Sequence, residues 1–163
     1  MDVGPLLPLL SIWLVVGVIL TVIDLREHRL PNALTLPMLV VTPIGLVIAD
    51  ALDHTSSSLG NGWSGAGIGA LLWLGALGVI WLISRGAAMG FGDVKLSPSL
   101  GATLGWLNVE TALVGLMLSF IVGGVVSAGL LITKRVHRRS AIPFGPFLFL
   151  GSVIAVIANL RGA

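Results

Sequence analysis

The chain contains no cysteine, which removes disulfides, thiolate metal sites and cysteine nucleophiles and leaves the redox compartment unread. Charge is nearly as scarce: Asp, Glu, Lys and Arg make up 10% of the 163 residues, against about a quarter in ordinary soluble domains. With 56% apolar residues and a mean hydropathy of +1.06, this composition excludes a conventional water-soluble fold. In lipid every backbone polar group is paired internally, so the spanning structure is helical or a closed barrel. The apolar runs are continuous rather than alternating, which favours helices. The pI of about 9.9 does not imply a nucleic-acid partner, because the net charge is only +2 and topology accounts for the basic residues.

What is present is a series of six uncharged stretches, at 5–23, 33–49, 65–83, 96–109, 111–133 and 141–160. Five approach or reach the roughly 17–25 residues of a spanning helix, and the fourth is short. If all six cross with the N-terminus outside, the inner loops hold Arg26, Arg29, Arg85, Lys95, Lys134, Arg135, Arg138 and Arg139. Only Arg161 then lies outside, with Asp2, Asp50, Asp53 and Glu110. Were the fourth stretch not to cross, the basic cluster near 134–139 would face outward, against the positive-inside tendency. The expected fold is therefore an all-α integral membrane protein. It has six transmembrane helices, the fourth short, both termini outside, and a single domain over 1–163. The first stretch lacks a basic region before it and reads as a retained span rather than a signal peptide. Trp63, Trp81 and Trp106 fall near predicted interfaces, whereas Trp13 and Trp73 are expected in packing.

A carboxylate beside hydrocarbon is costly and is a functional hypothesis by default. Asp24 closes the first span, and Asp93 opens the fourth in Gly90-Phe91-Gly92-Asp93; both are expected at the cytoplasmic face. Taken singly, Asp24 is explicable as an interfacial partner of Arg26 or Arg29, and Asp93 as a helix N-terminal residue after a flexible loop. Taken together, they have the makings of an acid–base pair. Two carboxylates held close in low dielectric do not both ionise easily, so one keeps a proton while the other remains a base. Such a pair activates water without metal or cofactor, and none is expected here.

Asp24 with Arg29-Leu30-Pro31-Asn32-Ala33-Leu34-Thr35-Leu36-Pro37 resembles the first aspartate motif of the type IV prepilin peptidases. Met89-Gly90-Phe91-Gly92-Asp93-Val94-Lys95-Leu96 resembles their second, and Ile142-Pro143-Phe144-Gly145-Pro146-Phe147-Leu148 a third signature near the last span. The three occur in family order and cover nearly the whole chain. The resemblance implies a GxGD-type intramembrane aspartic protease that removes basic leaders from prepilins or pilin-like proteins, with Asp24 and Asp93 as the catalytic pair. It implies a bacterial inner-membrane location and a substrate that is itself a membrane protein. Lacking an N-terminal extension and cysteine, the chain is similar to the short, protease-only branch, as in tight-adherence pilus systems. Methyltransferase activity is not expected.

Other residues have candidate roles around this pair. Gly90 and Gly92 leave room for a substrate backbone, or make a tight turn. Lys95 can bias the protonation of the nearby aspartate, meet a substrate carboxyl, or snorkel to the interface. Glu27 is available to a basic leader or to a nearby arginine. Pro143 and Pro146 bracket Gly145, where irregular backbone would shape a substrate groove. Pro31 and Asn32 suit a turn and helix start. His28, His54 and His137 fall in loops and share no metal site. Gly65 with Gly69, and Gly101 with Gly105, read as helix-packing faces. The rival functional class is a small transporter or channel that uses the carboxylates as a proton or cation site.

Overall fold

The structure, a computed structural model, describes residues 4–27, 31–52, 61–86, 89–132 and 144–162. His28, Arg29, Leu30, His54, the basic cluster near 134–139 and Pro143 lie outside the described residues. A 3-10 turn at Gly4–Leu6 leads into α1 (Leu7–Glu27), followed by α2 (Asn32–Leu52), α3 (Gly62–Ser84), α4 (Phe91–Leu107), α5 (Val109–Ile132) and α6 (Gly145–Gly162). All regular structure among the described residues is helical. The segments Gly4–Glu27, Asn32–Leu52, Gly62–Ser84 and Val109–Gly129 are long and apolar enough to cross a membrane; α4 and α6 are shorter. Large apolar side chains face outward on most helices, among them Val15, Leu71, Ile83 and Val125. In lipid that exposure carries no penalty.

The packing is set by small residues, because lipid supplies no hydrophobic drive between helices. A Cβ added at Gly65 would strike the carbonyl oxygen of Gly105, and one at Gly69 that of Gly101; the converse substitutions meet the same partners. The two glycine pairs thus interlock α3 and α4 antiparallel with their backbones in contact. Gly17 receives the ring of Phe149, joining α1 to α6, and Gly151 lies against Ser119 and Gly115 of α5. The Trp73 indole N–H donates to the Ala112 carbonyl at 2.9 Å, fixing α3 to α5.

α4 is the buried centre, in contact with α2, α3, α5 and α6. It begins at Phe91 rather than at 96, since two charges in its first turns do not end a helix whose start favours an acidic residue. Pro98 lies inside it and has no N–H for the Val94 carbonyl; the Ser97 hydroxyl donates to that oxygen instead, at 2.9 Å. Asn108 alone separates α4 from α5. Its extended backbone breaks the helix, and its side-chain oxygen caps α5 by accepting the Glu110 N–H at 3.0 Å.

The helix ends fall into two groups. At one end Trp63 donates to Asp50 at 3.4 Å and stacks edge-on against Trp106, while Asn159 donates to Thr111. Trp106 is therefore a core residue beneath Trp63, not an interfacial one. At the other end lie the final turn of α1 and the starts of α2, α4 and α6. Successive helices alternate in direction, as six crossings require.

Candidate active site

Asp24 and Asp93 meet at that second end. Asp24 is in the last turn of α1 and 4% exposed; Asp93 is in the first turn of α4 and 3% exposed. Each lies within electrostatic reach of the other's charge. Both carboxylates are buried rather than exposed at the surface.

Each carboxylate meets the start of a helix. Asp24 Oδ2 accepts the Gly145 N–H at 3.1 Å, one of the free donors in the first turn of α6. Pro146, next in that turn, has no N–H to compete. Asp93 belongs to the first turn of α4, where the Gly90 backbone hydrogen-bonds its carboxylate. The positive ends of two helix dipoles therefore converge on the pair and offset the cost of placing two acidic groups together. Asp93 Oδ1 is buried and, among the described residues, has no hydrogen-bond partner. Its lone pairs are left unsatisfied within this part of the protein.

The glycines before Asp93 differ from a strained turn. Gly90 has φ −71° and ψ 149°, extended backbone that any residue adopts. A Cβ there would stand 3.7 Å from Asp93 Oδ2, in ordinary contact. The fold does not require glycine at this exposed position, yet its bareness leaves the approach to the carboxylate open. The strained turn lies upstream: Arg85 (φ 51°) and Gly86 (φ 79°) end α3, with the Gly86 N–H donating to Trp81 and the Arg85 N–H to Leu82. Gly92 occupies the first turn of α4.

Lys95 points to a partner not anticipated from the sequence. Its ammonium donates to Asn32 Oδ1 at 3.0 Å and stands 5.0 Å from the Phe91 ring centre, while Phe91 packs on Trp81. The contact ties the start of α2 to the first turn of α4. Asn32 begins α2 after Pro31, whose carbonyl accepts the N–H groups of Leu34 and Thr35, as the turn expectation required. Glu27 is exposed at the end of α1, about a turn beyond Asp24. Gly145 and Pro146 are regular helix rather than irregular backbone; the non-helical residue is Phe144, and Pro143 lies outside the described residues. Among the described residues no three His, Asp or Glu side chains cluster as metal ligands.

Known proteins resemble this chain over most of its length. The chain is 36% identical over 154 residues to the prepilin leader peptidase/N-methyltransferase of Aeromonas hydrophila, covering 94% of this chain and 50% of that protein. The proteins of that name from Legionella pneumophila and Escherichia coli K12 are 34% and 35% identical. They are matched over 93% and 83% of this chain and 49% and 56% of their own lengths. The chain thus spans about half the length of the curated relatives it matches. No solved structure matches it. The sequence profile of the type IV leader peptidase family matches residues 9–128, a stretch that contains both buried aspartates, and the chain belongs to that family.

Proposed function

We propose that this protein is an intramembrane aspartic endopeptidase that removes the basic leader from prepilin or pilin-like membrane proteins, with Asp24 and Asp93 as its catalytic pair. The observation that carries this reading is the meeting of two buried carboxylates from different helices, one with an open oxygen, at the end of the bundle.

The pair shares one proton in its working state. The ionised member takes a proton from water as the oxygen attacks the scissile carbonyl, while the protonated member donates to the carbonyl oxygen. Collapse of the tetrahedral diol breaks the C–N bond, with a proton passing to the departing amine. The carboxylates suffice for this sequence, and their burial excludes bulk water. Gly145 positions Asp24 through its N–H. Gly90 and Gly92 leave space for an extended substrate backbone, and the Lys95–Asn32 contact holds the Asp93 turn against α2. Residues 1–163 act as a single peptidase domain of the bacterial inner membrane.

The positive-inside tendency directs the aspartate end to the cytoplasm, where Glu27 is available to a basic leader. Methyl transfer, which the name of the matched relatives also carries, is a separate activity, and hydrolysis needs only the pair and water. Carboxylates at one end of the bundle, rather than at its middle, also disfavour the transporter reading.

The test is co-expression with a prepilin-like protein, read by gel shift and N-terminal sequencing. Cleavage by the wild type and not by Asp24→Asn or Asp93→Asn is the expected result. Equal cleavage by all three would remove these aspartates from the mechanism, and the mass of the new N-terminus reports any methylation.

A further inference from the structure

The two helices that carry the aspartates do not pack on each other. Among the described residues no Cα of α1 comes within 8 Å of a Cα of α4, although both helices pack on α6. The space between them, deeper than the carboxylates, is a groove of about 240 Å³. Leu10, Trp13 and Leu14 of α1 line it, with Thr103 and Leu104 of α4 and Val153 of α6. Trp13 is three turns before Asp24, and Thr103 is nearly as far beyond Asp93, so this part of the groove lies about 15–17 Å further into the membrane. The same three helices bound both places. Trp13 is 5% exposed, and its indole N–H is buried with no acceptor among the described residues.

We propose that this groove seats the transmembrane helix of the leader-bearing substrate, in register with the scissile bond between Asp24 and Asp93. The inference rests on the leader-peptidase reading above. A substrate cut at the membrane surface continues directly into the bilayer, and the groove lies between the two helices that carry the aspartates. Its volume exceeds the roughly 150 Å³ cavity that accepts benzene, so it takes bulky side chains from a helix laid along it. Allowing a short extended stretch at the cut and helix beyond, the residues opposite Trp13 are roughly seven to eleven downstream of the scissile bond. A lipid acyl chain would fit the apolar walls but supplies no such register.

The experiment places a photo-crosslinking amino acid at Val153 in the full-length Asp93→Asn protein, reconstituted in bilayers with uncleaved substrate. The expected adduct maps by mass spectrometry to substrate residues within that seven-to-eleven window, while the same probe at lipid-facing Leu71 yields none. Adducts with phospholipid alone, or equal substrate adducts from both positions, would overturn the proposal. In the active protein, Val153→Trp fills the groove and should raise KM for the membrane substrate about tenfold with kcat little changed. If that variant does not fold, the crosslink decides. Wild-type cleavage with neither crosslink nor KM effect sinks the groove alone, whereas no cleavage by the wild type sinks the leader-peptidase reading.

Discussion

Asp93 buries an oxygen without a partner beside a second carboxylate, while Asp24 is anchored to the start of α6. Removing charge from the two should therefore have opposite effects on stability. Asp93→Asn keeps the shape and relieves the repulsion, so its thermal midpoint in detergent should rise even as cleavage falls by about 10²–10⁴-fold or more. Asp24→Ala strips an acceptor from a helix N-terminus and should lose about 0.5–2 kcal/mol along with activity. Parallel shifts in both midpoints would contradict the asymmetry. Gly90→Ala tests whether bareness serves access: the conformation permits alanine, so stability should hold within about 0.5 kcal/mol while KM rises several-fold. A pair sharing one proton also requires kcat/KM to be bell-shaped in pH, rising as one group ionises and falling as the second proton is lost; a monotonic profile would exclude a shared proton. The two aspartates were legible because so few charges interrupt the sequence. The Gly145 bond and the Lys95–Asn32 contact were not, since both depend on where α6 and α2 arrive in space.

Along the elements, the glycine spacing on α3 and α4 was readable in advance because close backbone approach leaves a four-residue signature, and Gly65, Gly69, Gly101 and Gly105 interlock as that spacing implies. The limits of α4 were less legible. Charge-free counting stopped at Lys95 and Glu110, whereas capping chemistry begins the helix at Phe91 and breaks it at Asn108. Its irregular point is Pro98, whose missing donor is replaced by the Ser97 hydroxyl. Ser97→Ala should leave the Val94 carbonyl unsatisfied in the buried centre and cost about 1–3 kcal/mol. Pro98→Ala restores the helical N–H to the same oxygen, so Ser97→Ala should cost little in that background. A thermal-denaturation cycle over the four proteins measures the coupling. Additive losses would mean that the hydroxyl serves something other than the proline gap.

At the scale of the molecule, one bit of information remains between the bundle and the cell: which end faces in. The interlocked glycines put Asn61 and Asn108 at one end, and the α3–α4 turn puts Ser84 at the other with Asp24 and Asp93. The charge distribution directs the aspartate end inward, because eight of the nine basic residues would lie on that side. The lack of native cysteine makes the test free of background. Single substitutions Asn61→Cys and Asn108→Cys should react in intact cells with a membrane-impermeant maleimide, whereas Ser84→Cys should react only after lysis. Reversal of all three would turn the aspartates outward and away from a cytoplasmic leader. Labelling of Asn61 without Asn108 would instead mean that α4 fails to cross, which would break the alternation that brings Asp93 to Asp24. The orientation and the proposed catalytic pair are thus linked: the short α4 must traverse the bundle for its first turn to meet the last turn of α1.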